Sequence, residues 1–229
     1  MSLRRVILGC AVLALVASCG SNKLNKDTSP LAAGISQIGQ MIKLRKAGGA
    51  AAVQGDAAEK LRGFAADAKG AVIIGAVEEA QLPIVIEPLS ENGPYTTWGS
   101  PDKRTITMVS GVISATRGYG GDVLGYDARP TAAAITGRKV AEYSRTMRFL
   151  GPQYELRGAT LKCVTENQGT EDITIIDTAR KLVHMVEACT DQGGGTVKSE
   201  YWVDGSGVIW QSRQWIGPQL GFVFMQRVK

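Results

Sequence analysis

The chain has 229 residues, 44% of them hydrophobic, with 26 Lys and Arg against 21 Asp and Glu for a formal net charge of +5. That is enough for one β domain with a good core, or for a helical segment leading into one. No run of Lys or Arg interleaved with aromatics is present, which removes the usual argument for a nucleic-acid partner.

Residues 1–18 open with Arg4 and Arg5, run apolar from Val6 to Val16 and end in small residues, the pattern of a secretory signal peptide. The apolar run is too short to cross about 30 Å of hydrocarbon as a stable helix. Val16-Ala17-Ser18-Cys19 has the form of a bacterial lipobox, in which the Cys19 thiol takes a thioether-linked diacylglycerol before cleavage on its N-terminal side. An ordinary signal with an incidental Cys is the alternative. A Cys followed by the polar tether Gly20–Pro30 suits lipidation. The mature chain is then expected to start at Cys19 and to lose Arg4 and Arg5, so the charge falls from +5 to +3. At about 0.8 kcal/mol per buried CH₂, its acyl chains would make a lasting anchor. Gly20 after the Cys, where Asp would retain the chain in the inner membrane, fits sorting to the outer membrane, facing the periplasm.

Residues 19–30 lack periodicity and read as a lipidated, flexible tether, and residues 31–69 as a helical segment. From Leu31 to Arg45, Leu31, Ile35, Ile38, Met41 and Ile42 recur at helical spacing. A second helix fits Asp56 to Ala68, with Asp56 as cap, Glu59 three residues on, and Leu61, Phe64, Ala65 and Ala68 on one face.

Residues 70–229 read as an antiparallel β domain. Ala71–Val77, Leu82–Glu87, Pro94–Trp98, Arg104–Ser110 and Val112–Arg117 follow one another with Pro, Gly, Asn and Asp between them, and Ser110-Gly111 reads as a tight turn. The GxGG of residues 117–122 lacks the Lys-Ser/Thr of a phosphate loop and reads as a structural loop with positive φ angles. Residues 128–137 mark a boundary between two β segments. Residues 137–150 suit a helix or a strand; the strand is favoured, with Tyr143, Arg145, Met147 and Phe149 on one face. Tyr154–Arg157, Ala159–Glu166, Asp172–Asp177 and Leu182–Cys189 follow as strands, separated by Asn167-Gln168-Gly169 and Thr178-Ala179-Arg180. Gly221–Val228 supplies the last strand. The expected fold is mainly β (β-rich α+β), a strongly curved antiparallel meander in the form of a half-open barrel or a sandwich, with short N-terminal helices.

Tyr201-Trp202-Val203 and Val208-Ile209-Trp210 flank Asp204-Gly205-Ser206-Gly207, a strong hairpin signal. Three of the four Trp residues fall in this stretch, with Arg213 between Trp210 and Trp215. Period-2 alternation makes them core residues by geometry. With the guanidinium beside them, they could also stack on a sugar.

YWVDGSGVIWQSRQWIGP at 201–218, WGSPDKRTITMVSGVISATRGYGGDVLGYD at 98–127 and the N-terminal lipobox together resemble the YjbF/GfcB-type lipoproteins of exopolysaccharide and group 4 capsule operons. One departure is Asp127-Ala128-Arg129-Pro130, where the family pattern has Asp-Pro directly. The resemblance implies several acyl chains at the N-terminus and an accessory role in export or assembly of an extracellular or capsular polysaccharide. It implies no catalytic chemistry.

Once Cys10 is removed and Cys19 lipidated, Cys163 and Cys189 remain, an even pair in an oxidising compartment: a disulfide is favoured, two buried free thiols being the alternative. Their spacing is wrong for zinc and His184 is the only His, so no metal or cofactor is expected. His184 reads as structural, on a face with Leu182, Val186 and Ala188. No GxSxG, HExxH or CxxC occurs, and Glu78, Glu79, Asp122, Asp127 and Glu187 offer carboxylates without a spacing that selects a pair. Trp98, Tyr119, Trp210, Arg213 and Trp215 are the candidate contacts to a glycan or to a partner secretion protein. Two other readings stay open: a chaperone-like β domain holding a lipid or an acylated protein, and a polysaccharide-modifying enzyme.

Overall fold

The computed structural model describes residues 70–80, 82–176 and 178–229, with Gly63 and residues 66–68. The signal peptide, Cys19, the tether, the first helix and most of the second lie outside these residues; Gly63, Ala66 and Asp67 are helical.

Twelve strands and one helix follow in order: β1 Ile73–Val77, β2 Leu82–Asn92, β3 Tyr95–Gly99, β4 Thr105–Val109, β5 Val112–Arg117, β6 Val123–Gly125, α1 Arg129–Thr136, β7 Ala141–Leu150, β8 Leu156–Ile175, β9 Thr178–Thr190, β10 Thr196–Val203, β11 Ile209–Trp215 and β12 Phe222–Arg227. Every ladder is antiparallel, and the strand order β5-β4-β3-β2-β1-β12-β11-β10-β9-β8-β7-β6 is the chain order read around a circle. The first strand pairs with the last, as in Gly75 with Met225. The result is a nearly closed, barrel-like antiparallel sheet, the curved meander expected. Its open seam lies between β5 and β6.

Side chains stitch that seam. Thr116 Oγ1 donates to Asp122 Oδ1 at 2.9 Å and accepts from the Val123 amide at 3.0 Å, while Asp122 also accepts from the Gly118 and Tyr119 amides. Arg117 donates to the Val123 and Leu124 carbonyls, and Ser114 Oγ to the Tyr126 carbonyl. The 117–122 loop is thus held by its own aspartate, with Gly118 and Gly120 both at φ 88°.

The local rules account for most connections. Ser110 (φ 48°) and Gly111 (φ 88°) form the two-residue turn that pairs Val109 with Val112, a geometry matched to strand twist. Four readings are corrected. Residues 128–137 are not a plain boundary: Pro130 starts an Ala-rich helix, α1. Ala159–Glu166 and Asp172–Asp177 belong to one strand, β8, because Asn167-Gln168-Gly169 makes a bulge, with Asn167 Oδ1 accepting from the Gly169 amide at 2.9 Å, where a hairpin turn was expected. The turn comes later, with Ile176 at φ 49°, so Thr178-Ala179-Arg180 already belongs to β9. The short β6 was not expected at all.

Three apolar clusters hold the sheet. The largest fills the interior and draws on nearly every strand, from Ile73, Ile84 and Ile106 to Met147, Leu161 and Val223. A second lies on the outer side of β1 and β2, where Ile74, Ala76 and Val85 meet Ile175 and Ile176 from the tip of the long β8–β9 hairpin. The third seats α1, through Ala128, Ala132 and Ile135, on Val109, Val112, Tyr201 and Val203, closing one end of the barrel. β1 is buried along its full length because clusters cover both its faces.

Candidate functional site

The five candidate contact residues do not converge. Trp98, 7% exposed, sits within the interior cluster, and Tyr119 and Trp215 pack half-buried against it. Arg104 lies 5.3 Å from the Tyr119 ring centroid, and burial pushes the Tyr119 hydroxyl up to about 12. Trp210 belongs to the outer cluster. The Arg180 guanidinium lies 3.4 Å over its ring, and its Nε1 donates to Asp204 Oδ2 at 2.7 Å. Arg213 is engaged twice: Nε and Nη2 grip Glu78 at 2.8–3.0 Å, and its guanidinium covers the Phe222 ring at 3.6 Å. The alternation that supplied these candidates therefore buries or pairs most of what they could offer a ligand.

Two polar constellations escaped the sequence reading. Inside the barrel, Arg145 and Glu187 are an ion pair at 3.2 Å with side chains 2% and 0% exposed. Glu187 also accepts from Tyr143 at 2.7 Å, Thr131 of α1 at 3.2 Å and Tyr201 at 3.4 Å. Arg145 lies 5.0 Å from the Tyr126 ring. Burial raises the Tyr126 phenol to about 12 and pushes the Tyr201 phenol well above its ordinary value, so both stay neutral around the pair. The placement of Arg145 between Tyr143 and Met147 was legible; its partner, 42 residues away in sequence, was not.

On the outer face, the His184 ring stacks on Trp202 with centroids 4.5 Å apart. Its Nδ1 lies 2.8 Å from Glu171 and its Nε2 3.2 Å from Glu200, and Trp202 Nε1 donates to the other Glu171 oxygen at 2.8 Å. The hydrogen bond with Glu200, and then Glu171, raise the His184 pKa above its ordinary value while burial opposes them.

Cys163 and Cys189 are register partners on β8 and β9 and are joined as a disulfide. Glu187 lies beside them, with its carboxylate and both sulfurs within 4.8 Å of one another. With the sulfurs bonded together, only the carboxylate has metal-ligand character, and it is committed to Arg145. Three further acids are similarly occupied: Glu78 by Arg213, Asp122 by the seam and Asp127 by Arg129.

Large exposed side chains gather elsewhere. Tyr154 (76% exposed) and Leu156 (65%) stand at the tip of the β7–β8 hairpin, beyond a sheet face carrying Arg148, Lys162 and Lys198.

A family model described as Group 4 capsule polysaccharide lipoprotein gfcB, YjbF matches residues 63–228, which takes in every strand. No curated protein sequence matches the chain at a significant level. Among solved structures, the crystal structure of the hypothetical lipoprotein YmcC from Escherichia coli (K12) is similar. It has a TM-score of 0.65 at 17% identity, over 77% of this chain and 97% of that one. At that identity the likeness speaks to fold alone.

Proposed function

Because the chain belongs to the group 4 capsule polysaccharide lipoprotein family GfcB/YjbF, we propose that it is a lipid-anchored periplasmic protein of the outer membrane. Its role in this reading is that of a non-catalytic accessory in export or assembly of an extracellular or capsular polysaccharide. The family match across the whole barrel carries this reading. Cys19 anchors the protein, residues 20–30 tether it, and the rigid barrel presents its outer surface to a glycan or a secretion protein.

The interior supports this over a lipid-holding role, since Trp98, Met147, Phe149 and Met225 pack it and a charged pair occupies it. The engagement of Glu78, Asp122, Asp127 and Glu187 in structural contacts supports a non-catalytic role. Of the five candidate contacts, Tyr119, Trp210, Arg213 and Trp215 keep a solvent-facing part. Trp98 contributes by packing.

The test is deletion of the gene in its source bacterium, with complementation by the natural chain or by Cys19→Ser. Surface polysaccharide should fall on deletion and return only with the natural chain, while Cys19→Ser should move to the soluble periplasmic fraction. Unchanged amount and length of surface polysaccharide in the deletion strain would end the proposal.

A further inference from the structure

Part of the outward face of β7 to β10 carries three cations with hydroxyls between them. Ser144, Lys162, Thr190 and Thr196 are successive register partners across the four strands. In the next row Thr146 faces Thr160, their hydroxyls 3.0 Å apart. Arg148 faces Gly158 one row further on, and Lys198 lies on the opposite flank beyond Ala188. All of these are exposed apart from half-buried Thr190 and Ala188. Their chain neighbours Arg145, Met147, Leu161, Cys163 and Cys189 point into the core, so strand alternation fixes the outward set.

The face carries three cations, and its acids gather on the Lys198 side. Among the described residues, Arg148 and Lys162 belong to no ion pair, and Glu200 stands two residues beyond Lys198 on the same face. Glu142 lies in the same row as Lys198, Glu166 and Glu200 lie in the row beyond it, and Glu155 and Asp191 stand at the hairpin ends. Glu155 is paired with Arg157, and Asp191 accepts from the Gly193 and Gly195 amides of its own loop. At about 3.3 Å per residue and 4.8 Å per strand, Lys162 stands roughly 14 Å from Arg148 and roughly 12 Å from Lys198, with Arg148 and Lys198 roughly 25 Å apart at the two ends of the face. Hydroxyls fill the spaces between them, and Tyr154 stands at the end of the same hairpin.

Separated cations with hydroxyls between them and an exposed ring suit a polymer whose carboxylates alternate with hydroxylated rings. We propose that this face holds an acidic polysaccharide, lying flat across β7 to β10. Arg148, Lys162 and Lys198 pair with its carboxylates, and Tyr154 stacks on a sugar ring. The proposal rests on the export reading in taking the partner to be a glycan, and adds to it the acidic character of that glycan and the face that holds it.

The test uses the full-length lipidated protein in neutral detergent micelles, with alginate and hyaluronan as acidic polymers, dextran as a neutral one and phosphatidylglycerol vesicles as an anionic membrane. The acidic polymers should bind with an affinity that falls steeply with salt, and dextran should not bind. Lys162→Glu and Lys198→Glu should each weaken binding by about tenfold, and Lys103→Glu, the same charge change at an exposed turn between β3 and β4, by less than about twofold. Tyr154→Ala should weaken it several-fold. Failure of both acidic polymers to bind, equal losses for Lys103→Glu and Lys162→Glu, or tighter binding to the vesicles through the same residues would each overturn the proposal. Loss of surface polysaccharide on gene deletion without acidic-polymer binding would remove this face and leave the export role standing.

Discussion

His184 shows how one residue can be read correctly as structural and still be placed among the wrong neighbours. Alternation put it with Leu182, Val186 and Ala188, and nothing in that pattern pointed to Trp202 on the next strand or Glu171 across the β8 bulge. Cross-strand partners depend on register, and the bulge between Asn167 and Thr170 shifts it. The pairing has a pH signature. Since Glu200 and Glu171 raise the folded pKa of His184 above its ordinary value of 6.5, the stabilisation is full below that value and is lost as pH rises through the folded one. The melting-temperature gap between the natural chain and His184→Gln should therefore be widest near about pH 6 and shrink by about pH 8. A gap that is flat or widens across that range would refute the ion-pair account. Arg145 and Glu187 illustrate the same blindness inside the barrel: each is visible as a charge, but only the register of β7, β8 and β9 makes them partners.

Among the elements, strands with clean alternation or a turn dipeptide were legible; β5, the Ser110-Gly111 turn and the hairpin at Asp204 all lie where local chemistry places them. α1 and β6 were not, for a shared reason. The helix has eight residues with four of them buried, and β6 has three residues, so neither is long enough to show a period. Both owe their form to what they pack on. β6 in particular is held to β5 largely by side chains where other strands have a ladder, and Asp122, 7% exposed, ties Thr116 of β5 to the Gly118 and Tyr119 amides of the connecting loop. Asp122→Ala should leave the donors of Thr116, Gly118 and Tyr119 unsatisfied and cost about 1–3 kcal/mol. Amide exchange should quicken across residues 116–126 and stay slow in β10 and β11. Uniform acceleration over the whole sheet would show that the seam is not a separate unit.

At the level of the whole molecule, the meander and its curvature followed from composition and spacing, but its closure did not. No local signal tells β1 that its second partner is β12, roughly 150 residues on; the apolar character of β1 on both faces was the one available hint. Closure also explains Gly75. A Cβ there would come 2.0 Å from the Phe224 carbonyl oxygen, a backbone atom that no rotamer change can move. Gly75→Ala should accordingly destabilise the protein by about 1–3 kcal/mol or more in urea unfolding, through the β1–β12 ladder. A change below about 0.5 kcal/mol would mean that the two strands can part at little cost. The same closure sets how the protein bears mechanical load. Val72 and Lys229 share a backbone hydrogen bond at the head of that ladder, where the chain enters and leaves the barrel. A pull between those two points peels β1 from β12 one residue pair at a time, the direction in which a sheet is weakest. A pull from the chain entering β1 against the face of β7 to β10 is shared instead by the intervening ladders, so the barrel bears load applied across its sheet better than load applied between its two ends.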